Sequence, residues 1–396
     1  MNQEPKQKND YKIIITLLIV FGIIIFVQKV HFSPATSEFR ENQTGNAIFQ
    51  SLGQPDSVYL PQYSKGFCIS YFGEDKIVEV YNPWDSASQS DYYLINNSGR
   101  DAIENIRTIK APVGNWSAFS STQVIMAEKL GVLATLKSVA EPEYISNEYI
   151  KKGISGGTVT NVGMAIEPNI ELLLLSQPQF IFVSPFKDEQ YNRLHNAGLI
   201  TVTDAGYLEA SPLGRTEWIV FFGAFFNLEN KAISLFREIE SSYNEVKDFI
   251  SEENAPPSIV TGYLYQDVWF LPAGESYIAT LFRDSGASYP YADTKGTGSL
   301  SYDFEKIFHD THLCDFWLIT VNHSGKFGYN DFKAMDMRYA DFKAFKQQRI
   351  LYSNTNTSGY YERGWIEPQT LLKDLAKAFY PQLFPDHKPV FFTILQ

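Results

Sequence analysis

The sequence predicts an α/β protein whose two lobes are joined by one long helix, and three observations support this. Between residues 212 and 250, apolar side chains recur at steps of three and four, which places them on one helical face. Pro212 suits the first turn of a helix, and the pair Pro256-Pro257 ends one. Alternating strand and helix patterns lie on both sides. A helix of that length spans about 50 Å, more than a small domain, so we expect it to bridge two bodies.

Length and composition limit the classes of function that the protein can have. The 396 residues allow two or three domains, and the formal net charge of -12 argues against a nucleic-acid partner, which requires clustered Lys and Arg. Aromatic residues make up 15% of the chain, a content that fits ring-binding surfaces but also packed cores. Cys68 and Cys314 lie far apart and outside any CxxC motif. We therefore expect isolated buried thiols rather than a metal site or a disulfide.

The N-terminus predicts export. Three lysines precede an uncharged apolar run from Ile13 to Val27, and this order is typical of a signal peptide or a membrane anchor. We interpret residues 1–32 as a signal or anchor segment whose positive end stays in the cytoplasm while the rest of the chain is exported. Whether the segment is cleaved or retained stays open at this point.

The remaining chain divides into four parts. Residues 33–104 are predicted as a polar tether, 33–50, and a β-hairpin region in which the stretch from Lys65 to Trp84 turns at Gly73-Glu74-Asp75. An N-terminal α/β lobe follows over 105–211, then the interlobe helix over 212–250, with a break or bend expected at Asn227 to Asn230, then a C-terminal α/β lobe over 251–396. In the two lobes we predict helices over 122–130, 169–175, 189–197, 278–285, 301–309, 333–345 and 368–380, and strands over 179–183, 199–202, 258–261, 267–271, 316–321 and 349–352.

Motifs for catalysis are missing from the sequence. It contains no HExxH, no GxSxG and no Walker loop. The six histidines are scattered, and His309 with His312 fits solvated surface positions better than a metal site, which needs further ligands. We therefore predict that the protein is not an enzyme and carries no cofactor.

Loops that follow the strands of a parallel sheet meet at its carboxyl edge, where α/β proteins bind ligands. Several aromatic, polar and cationic residues are predicted on such loops or at the start of the interlobe helix. Together they would form a cleft suited to a large, planar or anionic ligand. The alternatives are core packing for each ring and an ion pair between Arg215 and Glu217. The predicted ligand-binding residues are Trp116, Phe186, Arg215, Trp269, Ser276, Tyr277, Tyr361 and Arg363.

The order of several stretches resembles the iron-siderophore and cobalamin substrate-binding proteins of ABC importers. Those stretches include NWSAFSSTQVIMAEKLG, NIELLLLSQPQFIFVSPF, SPLGRTEWIVFFGAFFNLENKA, VWFLPAGESYIATLFRDSGASYPYAD and IEPQTLLKDLAKAFYPQLFP. The resemblance covers about Arg107 to Phe392. It implies a class III periplasmic binding protein, with two Rossmann-like three-layer lobes, a long interlobe helix and a ligand held between the lobes. It also implies a periplasmic monomer that works with an ABC permease and an ATPase.

The same resemblance implies where the permease docks. In the family an acidic residue on each lobe meets arginines of the permease. Asp188 or Glu189 is the counterpart on the first lobe, and Asp284 or Asp293 on the second, where relatives carry glutamate. The lipid-attachment cysteine common in the family is missing near the N-terminus, which favours a protein anchor or a soluble periplasmic form.

The leading hypothesis is therefore a binding protein that delivers a ferric siderophore, haem or cobalamin. Haem would favour an axial ligand such as Tyr277, Tyr361 or His323. An enzyme or a sensor on the same scaffold is the first alternative, because fold does not fix function. A transition-metal carrier is the second, and it requires three or four convergent ligands.

Overall fold

The computed structural model describes residues 43–82, 90–185, 191–250 and 255–396. The predicted signal or anchor segment, residues 1–32, lies outside these ranges. Within them, no helix is both long enough and apolar enough to cross a membrane. The predicted tether over 33–50 enters the described part at Gln43, where a helix begins, so its last residues are helical.

An N-terminal domain precedes the two lobes and is larger than the predicted hairpin. The hairpin itself is confirmed, with Phe72 opposite Asp75 and Gly73 at φ +63° in the turn. Its strands belong to a five-stranded sheet in order β1-β2-β3-β4-β5, antiparallel except for the last pair. The elements are helix α1 (Gln43–Leu52) and strands β1 (Ser57–Tyr59), β2 (Phe67–Phe72), β3 (Asp75–Val80), β4 (Asp91–Asn96) and β5 (Arg107–Lys110).

The first lobe is built on a five-stranded parallel sheet in order β12-β11-β6-β7-β8. Ser120 caps its first helix and Gly131 at φ +77° ends it, so the helix begins one residue before the predicted range of 122–130 and ends with it. Its strands are β6 (Trp116–Ala118), β7 (Leu136–Val139), β8 (Thr160–Asn161), the short pair β9 (Gly163–Met164) and β10 (Glu167–Pro168), β11 (Ile181–Val183) and β12 (Thr201–Thr203), and its helices are α2 (Ser121–Leu130), α3 (Glu148–Ser155), α4 (Ile170–Ser176) and α5 (Asn192–Asn196).

The predicted interlobe helix is two helices. Helix α6 (Pro212–Ala224) and helix α7 (Glu229–Ile250) are separated near Asn227, which adopts a left-handed φ of +57°. Gly223 lies so close to Ala232 that a Cβ there would be 3.0 Å from the alanine Cβ, so α7 folds back along α6. The span of about 50 Å is therefore wrong: α7 is the longer of the two helices, and its 22 residues span about 33 Å.

Helix α7 contacts the first lobe at its start and the second at its end. Near the start, Lys231 donates to the carbonyl oxygen of Leu130 over 2.9 Å. Near the end, Tyr243 donates to Asp284 over 2.8 Å. Its apolar residues at steps of three and four, among them Phe236 and Ile250, are buried as the spacing predicts.

The second lobe has a four-stranded sheet in order β13-β17-β18-β19, parallel except for its last pair. The predicted strand 267–271 lies instead in a side sheet, β14-β15-β16, and the predicted helix 333–345 is two short helices. Its elements are strands β13 (Ile259–Thr261), β14 (Leu264–Tyr265), β15 (Val268–Pro272), β16 (Ser299–Tyr302), β17 (Phe316–Val321), β18 (Ile350–Asn354) and β19 (Thr393–Ile394), and helices α8 (Tyr277–Asp284), α9 (Phe304–Thr311), α10 (Tyr329–Met335), α11 (Lys343–Lys346), α12 (Tyr360–Arg363) and α13 (Pro368–Phe379).

Buried carboxylates fasten the N-terminal domain to the helix pair. Glu217 on α6 accepts hydrogen bonds from the Tyr59 hydroxyl and from the backbone N–H groups of Gln62, Tyr63 and Ser64, all between 2.8 and 2.9 Å. Its side chain is fully buried. Three consecutive backbone donors of this loop thus depend on one side chain of another element.

A second attachment is ionic. Lys76 on β3 pairs with Glu229, the first residue of α7, and both side chains are about nine-tenths buried. The two cysteines take no part in such contacts: Cys68 and Cys314 are free and buried, as predicted.

Candidate functional site

A cleft lies between the two lobes at the carboxyl ends of their parallel strands. Phe119 follows β6, Ser184 follows β11, Asn322 follows β17 and Thr355 follows β18, which is where the topology predicts a ligand site. The cleft encloses about 850 Å³. Its described lining combines rings with many hydroxyl and amide groups: Phe119, Ser120, Ser121, Tyr144, Ser146, Ser184, Tyr191, Asn322, Thr355, Asn356, Thr357, Ser358 and Tyr361.

A smaller inner recess of about 170 Å³ adjoins this cleft and shares Ser120, Ser184 and Tyr361 with it. Among the tryptophans in the described ranges, Trp365 alone is not fully buried, and it lines the recess. The recess is lined by Ser120, Thr122, Ser184, Asp204, Gly206, Tyr207, Arg215, Tyr361 and Trp365.

Arg215 enters the recess from the first turn of α6. Its Nε donates to the carbonyl oxygen of Glu209 over 3.0 Å, and its guanidinium lies 4.2 Å from the centre of the Tyr277 ring. It forms no ion pair with any carboxylate of the described residues, so the predicted alternative of a pair with Glu217 does not occur. Burial lowers the pKa of Arg215, because the charged form loses solvation there.

Asp204 follows strand β12 and lines the same recess. The side chain of Gln123 and the backbone N–H of Gly206 each donate to its carboxyl group over 3.2 Å. Only 7% of Asp204 is exposed. Burial raises the pKa of this carboxyl group, since no cation among the described residues pairs with it. Asp204 and Arg215 are not in ion-pair contact with each other, so two opposite charges in one recess both lack a charged partner.

Replacing Asp204 by asparagine is expected to make the protein more stable than wild type, by a difference that grows as the pH rises. The raised pKa means that the native state binds the proton more tightly than the unfolded state, whose carboxyl pKa is about 3.9. At low pH the carboxyl group of Asp204 is neutral and the protein has its full stability. This stability is lost as the pH rises from the pKa of the carboxyl group in the unfolded state through its pKa in the native state. Thermal unfolding of wild type and Asp204→Asn should agree at about pH 4 and separate towards pH of about 8.

The exposed Asp293 provides the control for this experiment. Its asparagine variant should change the stability by less than about 0.5 kcal/mol, as substitutions at exposed positions usually do. Parallel curves for wild type and Asp204→Asn would contradict the assignment of an uncompensated buried charge.

Two predicted ligand contacts lie inside the lobes instead of at the cleft. Trp116 on β6 is fully buried, packs edge-on against Phe182 and Phe222, and donates its indole N–H to Thr135 over 2.9 Å. Trp269 on β15 is also fully buried and stacks on Trp317 at a centroid distance of 5.4 Å. Core packing therefore accounts for both rings, as the alternative interpretation held.

The other predicted residues divide into three groups. Tyr361 and Arg363 line the cleft, although Arg363 already pairs with Glu367 over 2.8 Å. Ser276 is buried as the N-cap of α8, and Tyr277 lies beneath Arg215 with a buried hydroxyl group. Phe186, Asp188 and Glu189 lie outside the described residues.

Asp284, predicted to dock on the permease, is already engaged. Its side chain is 9% exposed, pairs with Lys247 over 3.1 Å and accepts a hydrogen bond from Tyr243. These contacts explain its orientation towards α7 instead of solvent. The carboxylate fastens the end of α7 to the second lobe.

Three contacts, here called the cross-lobe contacts, connect the first lobe and helix α6 to the second lobe. Lys129 pairs with Glu367 over 3.1 Å. The backbone N–H of Ser146 donates to Glu362 over 3.0 Å, and Thr216 donates to the carbonyl oxygen of Trp365 over 2.8 Å. The cleft walls are therefore joined by direct contacts between protein groups.

Metal ligands do not cluster in the part of the chain that the structure describes, where no group of three or more His, Cys, Asp or Glu side chains could hold an ion. Of the three predicted haem ligands, Tyr361 lines the cleft and is 66% exposed. Tyr277 is buried, and His323 is not among the residues that line the cleft or the recess.

A family profile, a sequence relative and several solved structures match this chain. The sequence profile of the family described as periplasmic binding protein matches residues 117–356. An uncharacterised lipoprotein of Methanocaldococcus jannaschii is 26% identical, and the match covers 95% of each chain. Among solved structures, a periplasmic binding protein from Veillonella parvula gives a TM-score of 0.58 at 12% identity, covering 78% of this chain and 99% of its own. A periplasmic heme-binding protein from Pseudomonas aeruginosa gives 0.55 at 15% identity, covering 72% and 98%.

Proposed function

Because this chain belongs to the periplasmic binding protein family, we propose that it is the substrate-binding component of an ABC importer. It captures a ferric siderophore, haem or cobalamin between its lobes and passes the ligand to a permease that is driven by an ATPase. It acts as an exported monomer outside the cytoplasmic membrane, anchored by residues 1–32 where that segment is retained.

The cleft between the lobes is the observation that carries this proposal. Its volume of about 850 Å³ falls in the range that encloses most of a medium-sized organic ligand. Rings such as Tyr144, Tyr191 and Tyr361 offer flat apolar faces, while neighbouring hydroxyl and amide groups offer hydrogen bonds. An iron chelate or a macrocycle presents both kinds of surface.

The charges of the cleft point to binding instead of catalysis. Its outer cations are already neutralised, Arg363 by Glu367 and Lys151 by Glu148. Arg215, in the recess, is left to meet an anionic group of the ligand. A buried guanidinium recognises such a group strongly because water does not compete for it.

Replacing Tyr361 by alanine is expected to weaken ligand binding about 5- to 30-fold, because the exposed ring offers a stacking face worth roughly 1–2 kcal/mol. The measurement is a titration of the full chain in detergent micelles with ferric trihydroxamate, ferric catecholate, haemin and cobalamin. Fluorescence of Trp365, which lines the recess, reports the response, and inner-filter controls correct for coloured ligands.

Tyr265→Ala is the matched control, since Tyr265 is 63% exposed, close to the 66% of Tyr361, but does not line the cleft or the recess. It should bind as wild type does. Equal losses in the two variants, or no saturable response to any of the four ligands, would contradict the proposed function.

A further inference from the structure

The inner recess holds two charges of opposite sign that do not neutralise each other. Arg215 and Asp204 both line it, and neither forms an ion pair with the other or with a further described residue. Glu209, whose carbonyl oxygen accepts from Arg215, accepts hydrogen bonds at its carboxyl oxygen Oε1 from Ser64, Lys65, Gly66 and Trp218. It contributes to the local field without facing the guanidinium as a partner.

An occupant with charge of one sign would satisfy one of these side chains and be repelled by the other. An anionic group alone would meet Arg215 but also the carboxyl group of Asp204. An ammonium group alone would meet Asp204 but also the guanidinium. A group that carries both charges satisfies both, because buried charges are stabilised only by partners of opposite sign.

We propose that the cargo carries an α-amino-acid head group whose carboxylate pairs with Arg215 and whose ammonium group pairs with Asp204. This inference rests on the proposed function, since it assigns the chemistry of a ligand held in the same cleft. The head group enters the inner recess, and the body of the ligand occupies the outer cleft.

Size and surroundings support this arrangement. The recess, of about 170 Å³, admits a small head group but not a macrocycle, for which the outer cleft of about 850 Å³ has room. The rings of Tyr207, Tyr361 and Trp365 line the recess and offer aromatic faces to an ammonium group. Ser120 and Thr122 line it too, at the amino end of α2, where a carboxylate is favoured.

The burial of Asp204 and the partial burial of Arg215 support the same conclusion. Burial raises the pKa of Asp204 and lowers the pKa of Arg215, so in the empty recess each charged form is disfavoured. A zwitterionic head group supplies the missing counter-charge to each. Haem has carboxylates without an amine, and so it leaves Asp204 without a partner.

Calorimetric titration of the full chain with three matched ferric trihydroxamates tests the proposal. The first chelate ends in a free amino-acid group, the second has that amine acetylated, and the third has that carboxylate converted to an amide. We expect the free form to bind at least about tenfold more tightly than either blocked form, as each block removes one charge-assisted contact.

Two variants assign each preference to its side chain. Arg215→Gln should bind the free chelate and the amide chelate equally, but should still bind the free chelate more tightly than the acetylated one. Asp204→Asn should bind the free chelate and the acetylated chelate equally, but should still bind the free chelate more tightly than the amide one. Arg193→Gln, at a surface arginine of the first lobe outside the cleft, should keep both preferences. If a variant fails to fold, the comparison of the three chelates on wild type still tests the head-group proposal.

The outcomes separate this inference from the proposed function. Equal binding of the three chelates, or binding of haemin or cobalamin without any of the three, would leave the transport function standing and overturn the head-group proposal. Failure of every chelate, haemin and cobalamin to bind would overturn both.

Discussion

Replacement of Glu217 by alanine is expected to lower the free energy of unfolding of the N-terminal domain by at least about 3 kcal/mol. The carboxylate accepts from one hydroxyl and three backbone N–H groups, all within 2.9 Å. Without it, four donors lose their acceptor, and the two in buried hydrogen bonds, Tyr59 and Ser64, each cost about 1–3 kcal/mol when left unsatisfied. Urea unfolding followed by near-ultraviolet circular dichroism measures the change.

Glu238 on α7 is exposed and provides the matched control. Its alanine variant should change the free energy of unfolding by less than about 0.5 kcal/mol, as surface substitutions usually do. Similar values for the two variants would mean that water replaces Glu217 at the loop. In that case the attachment of the N-terminal domain would depend on apolar packing and on its other polar contacts, such as the pair of Lys76 and Glu229.

The second large effect is expected at the buried pair of Lys76 and Glu229. Removing either partner leaves an uncompensated charge, which costs about 3–5 kcal/mol. Glu229→Gln should be the worse of the two, because Lys76 would then face the positive end of α7. In Lys76→Met, the remaining carboxylate lies at that same helix end and is partly stabilised by it.

A double replacement tests whether the cost comes from the orphaned charge. Lys76→Met combined with Glu229→Leu should be within about 1 kcal/mol of wild type, since a buried pair replaced by apolar groups of similar size is often neutral. Lys388→Met, at an exposed lysine, controls for the substitution itself. A double variant as unstable as the worse single one would contradict this account.

Much of the fold could be predicted because periodicity reports burial directly. The steps of three and four in α7 and the hairpin β2–β3 are both confirmed, although the hairpin is buried on both faces and its burial does not alternate. The turn between α6 and α7 was harder to place. Asn227 marked it as a break, but the sequence does not show that the second helix folds back along the first.

The position of the site could be predicted from the sequence, but the residues that line it were harder to predict. The carboxyl ends of the strands form the cleft as expected, yet Trp116 lies within its strand, and a shift of one or two residues separates a cleft side chain from a core one. Arg215 and Glu217 are two positions apart on α6, which turns them to different faces, one to the recess and one to the N-terminal domain.

Asp204 was missed although the sequence carried a signal for it. It follows β12 directly, so its position at the carboxyl end of a parallel strand marked it for the cleft in the same way as Phe119 and Ser184. The predicted site was based mainly on aromatic and arginine side chains, and Asp204 belongs to neither type. The pairing of charges inside a recess depends on distances between separate loops, which no local pattern contains.

The cross-lobe contacts bear on how easily the cleft opens. The contacts Lys129–Glu367, Ser146–Glu362 and Thr216–Trp365 all join groups on opposite sides of the cleft. Any motion that separates the lobes therefore has to break them, and opening of the cleft costs the free energy of all three contacts.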